Sequence, residues 1–174
     1  VFAGKAHPQD RQAKAILQDV VSHRQHSAWE RRAVFIQDYD KDAARYLVQG
    51  VDVWLNVPRR PLEASGTSGQ KVSMNGGLNF SILDGWWIEG YDGLNGWAIG
   101  DEGLVDGDEL SVDVRDANSL YQVLENEIVP TYYERDENNL PRRWIEMMRH
   151  SLQTLTYQFS SDRMLLDYIQ QIYC

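Results

Sequence analysis

Cysteine is almost missing from this 174-residue sequence: Cys174 stands alone, so no internal disulfide can form and a reducing cytoplasm is the expected setting. Long apolar runs are missing too. None approaches the roughly 20 residues that cross a bilayer, so no membrane partner is expected. The first residues show no basic, apolar, small-residue leader pattern. Positive charge is scarce: 17 Lys and Arg stand against 26 Asp and Glu, a formal net charge of −9. A nucleic-acid partner requires clustered cations and is therefore not expected. A small anion is a different matter, because backbone N–H groups can hold one locally inside an acidic domain. Metal-ligand spacing is lacking as well. His7, His23, His26 and His150 are scattered, and Asp106, Asp108 and Glu109 do not follow a calcium-loop pattern, so no metal is expected.

What is present is the balance of a globular domain, 43% apolar and 25% charged, in a length that suits one domain over residues 1–174. Val1–Gly4 reads as a strand, and a chain that opens inside a strand is expected to be a fragment of something longer. Ala13, Ile16, Leu17, Val20 and Val21 then fall on one helical stripe. Ala33–Ile36 is a continuous apolar run of the kind found in a doubly covered parallel strand. A short helix over Lys41–Val48 ends at Gly50, and Val51, Val53 and Leu55 make a third strand, broken by Pro58 and Pro61. After a Gly/Ser-rich turn and another short helix, Leu78–Leu83 and Gly96–Gly100 read as two further strands.

This βαβα order implies an α/β fold: a parallel sheet flanked by helices over residues 1–100. Residues 101–174 form a helical tail. Its stripes are Ala117, Leu120, Tyr121, Leu124 and Ile128; Trp144, Met147, Met148, Leu152 and Leu155; and Met164, Leu165, Tyr168, Ile169 and Ile172. Each reads as ordinary helix-to-core packing. Asp136–Asn139 before Pro141 reads as a solvated loop. Ligands of open parallel sheets bind beyond the carboxyl ends of the strands. That directs attention to the loops at Lys5–Asp10, Gln37–Asp40 and, above all, Asn56–Lys71.

The third loop carries Glu63-Ala64-Ser65-Gly66-Thr67-Ser68-Gly69-Gln70-Lys71. Two glycines bracket Thr67 and Ser68 just before a helix start. Small residues there let the backbone turn sharply and aim successive N–H groups at one point, which favours a phosphate at the helix N-terminus. Lys71 follows one helical turn later, where a lysine can pair with an anion or bond covalently to a phosphorylated aldehyde cofactor. It is neither a P-loop nor a Gly-x-Gly-x-x-Gly fingerprint. On composition alone, the same residues also describe a plain turn capping a helix with an exposed lysine.

With Asn75-Gly76 and Leu83-Asp84-Gly85 downstream, this block resembles the pyridoxal-phosphate signature of glycogen, starch and maltodextrin phosphorylases. The flanks Val51–Leu62, Gly85-Trp86-Trp87, Gly90–Gly93 and Gly96–Gly100 resemble the shorter bacterial and archaeal branch. The likeness runs from Val1 to Gly100 and more weakly through the tail. It departs from the usual pattern at Gln70 and at Val72-Ser73, which flank the lysine without replacing it.

The resemblance implies part of the C-terminal lobe of a GT-B-type glycosyltransferase, with two Rossmann-like lobes around one active site. It implies pyridoxal 5′-phosphate joined to Lys71 as a Schiff base, its phosphate held by Gly66, Thr67 and Gly69, and Tyr39 packed near its ring. Glu63, Ala64 and Ser65 would contact the glucosyl unit, so Lys71 and Glu63 are the expected catalytic residues. The implied substrates are an α-1,4-glucan and inorganic phosphate, and the implied partner is the N-terminal lobe of the same protein. A partner-less sheet edge would favour self-association into a homo-oligomer. The chain alone is expected to be inactive and to hold the cofactor weakly or not at all.

Two other readings stand beside this one. A nucleotide-sugar glycosyltransferase of the same fold often carries a second glutamate after seven intervening residues. Here Lys71 occupies that place after Glu63. The other is a non-catalytic carbohydrate-binding or regulatory module. Among single residues, Arg59 and Arg60 read as solvated charges before phosphate ligands, and Lys5 as a lesser candidate for ligand contact. Trp86, Trp87 and Trp97 read as core or interdomain packing before sugar stacking.

Overall fold

A computed structural model gives the structure of the chain and describes residues 1–24, 32–100 and 108–173. The chain divides into two compact units, Val1–Tyr46 and Leu47–Cys174. The first contains strand β1 (Phe2–Ala3), helix α1 (Arg11–Arg24), strand β2 (Phe35–Ile36) and the start of helix α2 (Lys41–Gly50). Strands β1 and β2 pair in parallel, Phe2 opposite Phe35 and Ala3 opposite Ile36. Both helices begin at aspartates whose carboxylates take orphan N–H groups of the first turn: Asp10 from Ala13 (2.8 Å) and Asp40 from Ala43 (2.9 Å). The apolar run at Ala33–Ile36 forms a shorter strand than expected, and it is half-buried, with Val34 exposed, instead of covered on both faces.

The second unit holds a parallel sheet in the order β3 (Val53–Asn56), β4 (Leu78–Ile82), β5 (Gly96–Ile99). Among the described residues the strands thus make two small parallel sheets where the alternating pattern suggested one. Every residue of β4 is buried, which is why it reads as an apolar run with Asn79 and Ser81 as its only polar members. Helix α3 (Thr67–Met74) packs on β4 and on helix α7 (Arg142–Gln158), while α5 (Glu109–Val123) packs on β5. Leu78, Phe80, Ile82, Trp97, Ile99, Ile128 and Trp144 make the main core. Leu83, Trp86, Trp87 and Leu155 make a second cluster around helix α4 (Trp86–Gly90).

The tail is helical as expected, but α5 widens into a π-type turn at Leu124–Ile128 before α6 (Val129–Tyr133). The stripe on α8 (Ser161–Tyr168) and its π-type continuation Ile169–Tyr173 corrects a simple packing expectation. Met164, Leu165, Tyr168, Ile169 and Ile172 are all exposed. An amphipathic period makes one face apolar; it does not supply a surface to cover it. Among the described residues, no helix is long and apolar enough to cross a membrane.

Candidate functional site

The loop leading into α3 is stitched to the β4–α4 turn. Buried Asp84 accepts the Glu63 N–H at Oδ2 (2.8 Å) and the Gly85 N–H at Oδ1 (2.9 Å). The Trp86 N–H donates to the Ser65 carbonyl (2.8 Å). Residues 63–65 are therefore pinned at both ends to residues 84–86, which start from the end of the central strand.

Gly66 follows with φ +88° and ψ 43°, a left-handed conformation that glycine adopts at no steric cost. It opens α3, and among the described residues no side chain caps that opening. The first-turn N–H donors therefore receive no side-chain oxygen from the capping position, and the Gly69 N–H turns back to the Gly66 carbonyl at 3.2 Å. Lys71 stands one turn further on, exposed, with Nζ donating to the Thr67 hydroxyl at 3.3 Å. The far end is closed by Asn75, whose Nδ2 donates to the Lys71 carbonyl (2.7 Å). Glu63 is half-buried, and a Cβ placed on Gly66 would lie 3.4 Å from its Oε1. One short arc thus brings together Glu63, Gly66, Thr67, Gly69 and Lys71, with Ala64 and Ser65 exposed along the loop.

The fit of this arc to an anionic, aldehyde-bearing group is good on three counts. It presents uncapped N–H donors with a hydroxyl and a primary amine, the donor set such a group needs. A Cβ on Gly66 would lie 2.9 Å from Trp86 Cδ1 and one on Gly69 2.8 Å from Asn79 Oδ1, so neither position admits a side chain without a shift. Next to Gly69, the fully buried Asn79 has no hydrogen-bond partner for either end of its amide among the described residues.

Several other candidates are occupied elsewhere. Arg59 donates to Glu109 (2.8 Å) and to both carboxylate oxygens of Asp113 (3.1 and 2.5 Å), so it serves α5. These bonds, Asp113 foremost, push its already high pKa further up. His150 Nε2 meets Asp92 at 2.7 Å, and His7 Nδ1 accepts the Gln9 N–H (3.2 Å). His26 and Asp106 lie outside the described residues. Among the described residues no three His, Cys, Asp or Glu side chains are grouped as a metal site would need. Tyr39 follows β2 in the first unit and is half-buried there; Lys5 is exposed in the same unit. Trp86, Trp87 and Trp97 are buried core residues, 5%, 0% and 4% exposed. Asp84 and Trp86 hold the loop together and were not singled out for it by sequence reasoning. The only signal was the Leu83-Asp84-Gly85 triplet, which does not say what it touches.

Comparison with known proteins completes the picture. A family model described as carbohydrate phosphorylase matches residues 1–95. Over 173 residues, 99% of the chain, the sequence is 53% identical to a glycogen phosphorylase of Aquifex aeolicus. It is 49% identical over the same span to a maltodextrin phosphorylase of Thermococcus litoralis and to a glycogen phosphorylase of Mycobacterium tuberculosis. The chain spans 24% of the first relative's length and 20% of the other two.

Proposed function

The chain belongs to the carbohydrate phosphorylase family, and from that membership we propose that it supplies the cofactor-holding part of an α-1,4-glucan phosphorylase with the two-lobed GT-B architecture. Phosphorolysis breaks the bond between C1 of the terminal glucosyl unit and the glucan oxygen. A phosphate oxygen bonds to C1, the freed glucan oxygen takes a proton from that phosphate, and glucose 1-phosphate leaves. The work left to the protein is to hold two anions and a sugar in one water-poor cleft.

In this reading Lys71 attaches pyridoxal 5′-phosphate through Nζ. Gly66, Thr67 and Gly69 form the turn that holds the cofactor phosphate, with backbone N–H groups at the opening of α3 and the Thr67 hydroxyl as donors. When bound, the cofactor supplies a phosphate that exchanges a proton with the inorganic phosphate beside it. Glu63 accepts hydrogen bonds from hydroxyls of the glucosyl unit, and Ala64 and Ser65 contact the same sugar. Asp84 keeps Glu63 in register through the backbone bond described above. The substrates are an α-1,4-glucan and inorganic phosphate, the other lobe of the same polypeptide is the partner, and the setting is the cytoplasm.

The observation that carries the reading is the uncapped, glycine-opened start of α3 with Lys71 bonded to Thr67 across its first turn. The intact protein, given maltoheptaose and phosphate, is expected to release glucose 1-phosphate, and Lys71→Ala to abolish that release. Release undiminished in Lys71→Ala refutes the assignment. The 174-residue chain by itself is expected to release none, because half a cleft leaves both anions exposed to water and screened.

A further inference from the structure

The turn that opens α3 rests on one aromatic ring. A Cβ built on Gly66 would stand 2.9 Å from Trp86 Cδ1 and 3.4 Å from its Nε1. One built on Gly69 would stand 3.0 Å from Cζ2 and 3.1 Å from Nε1. The same indole therefore lies against both glycines that bracket Thr67 and Ser68. Its own backbone N–H holds Ser65 at 2.8 Å, the residue just before the turn. The ring is itself wedged: Trp87 lies 5.0 Å away centroid to centroid, and Phe159 meets it edge-on, also at 5.0 Å. Beside the ring at Gly69 stands Asn79, whose Oδ1 would be 2.8 Å from the same added Cβ.

A glycine-bracketed turn with no side-chain cap is intrinsically mobile, because glycine has the most backbone freedom to lose. Affinity for an anion then depends on how far the donors are fixed in advance. We propose that Trp86 is the positioning residue for the anion-holding turn. Its indole acts as the template on which Gly66 and Gly69 set the first N–H groups of α3 for the phosphate of the ligand. The indole carries no charge to the ligand; its effect passes through the backbone it braces. This inference rests on the reading of the turn as the cofactor-phosphate site.

The test compares pyridoxal 5′-phosphate with pyridoxal, which has the same aldehyde and no phosphate. Each is titrated into the intact, cofactor-stripped protein, and the ratio of the two affinities is taken for wild type, Trp86→Phe and Trp86→Ala. Wild type is expected to favour the phosphorylated form. In Trp86→Ala that preference is expected to fall about tenfold, as for the loss of one charge-assisted hydrogen bond, with pyridoxal affinity unchanged. Trp86→Phe, which keeps a ring but loses the reach of Cζ2 under Gly69, is expected to fall in between and decides the matter if Trp86→Ala does not fold. A wild-type ratio in a folded variant, or an equal loss for both ligands, overturns the positioning role while leaving the site assignment intact. A wild-type protein that does not distinguish the two ligands overturns the site assignment itself.

Discussion

Gly85→Ala is the sharpest single-residue probe of how the loop is held. Gly85 has φ +54° and ψ −132°, a region open in practice to glycine alone, and occupying it with alanine costs about 1–3 kcal/mol. The added methyl would also meet the Ser65 carbonyl oxygen at 2.6 Å, Glu63 Cγ at 2.9 Å and the Glu63 carbonyl oxygen at 3.1 Å. Two of those atoms are backbone, so relief requires moving the loop, and overpacking of this kind costs about 1–3 kcal/mol more. Gly93→Ala is the matched control. Its φ is +85°, but none of the described residues lies within 4 Å of the new Cβ, so it carries only a conformational cost of about 1–2 kcal/mol. The entropy alanine removes from the unfolded chain is common to both and cancels in the comparison. Urea unfolding of the intact protein, followed by the emission of the buried tryptophans, should therefore show Gly85→Ala as the more damaging by about 1–3 kcal/mol. Hydrogen exchange should show the Glu63 and Trp86 amides losing protection, since their bonds to Asp84 and Ser65 are what the methyl displaces. Equal destabilisation by the two substitutions, with both amides still protected, refutes the clamp.

Borohydride reduction of the cofactor-loaded intact protein is expected to fix the cofactor on the peptide containing Lys71; label on Lys5 or Lys41 removes the assignment. Glu63→Gln is expected to lower kcat/KM, at about 1.5–3 kcal/mol for each lost charge-assisted hydrogen bond to the sugar, with cofactor content unchanged. Cofactor loss with unaltered sugar kinetics would reverse the roles given to Glu63 and the glycines. The Asp136 carboxyl is held below the usual carboxylate range by its bond from Arg142 first, then by the Leu140 N–H. Its contribution to stability is thus full above the ordinary carboxylate pKa of about 3.9 and lost as pH falls through the lowered folded value. Asp136→Asn should accordingly destabilise at neutral pH and converge with wild type in acid, and a pH-independent gap in the urea midpoint contradicts this.

The fold was legible where burial is complete and local signals agree. β4 is buried on both faces, so its apolar content shows through Asn79 and Ser81, and β3 and β5 follow from apolar runs bounded by Pro or Gly. α4 was not legible. Trp86-Trp87-Ile88 between Gly85 and Gly90 has no period to read, and the segment is set by tertiary bonds: Trp86 N–H to Ser65, Trp87 Nε1–H to the Trp97 carbonyl (3.1 Å), and Asn95 Nδ2 to the Gly90 carbonyl (2.7 Å). The π-type turn at Leu124–Ile128 was equally silent, since the spacing of Leu120, Leu124 and Ile128 suits an unbroken helix just as well. The α8 stripe was read correctly as a helix and wrongly as covered, because periodicity describes one partner of a contact and says nothing of the other.

The site divides along the same line, and the two glycines show why. From sequence, Gly66 and Gly69 look equivalent, both permissive residues in a turn suited to an anion. In the structure they are required for different reasons. Gly66 takes a left-handed φ of +88°, a local demand that a sequence pattern can signal. Gly69 sits within helical backbone, where alanine would ordinarily be the better residue. It is glycine because Asn79, ten positions on, and Trp86, seventeen on, leave no room for a Cβ. Asp84 makes the same point from the other side: it fixes Glu63 across twenty-one residues. Tyr39 apart, the groups expected to touch the ligand are thus contiguous and readable, whereas those that fix them in place lie on β4, on α4 and in the turn between them. The chemistry of a lysine after a glycine turn is written in nine residues. The rigidity that lets such a turn hold an anion comes from the end of the central strand, and only the folded chain brings the two together.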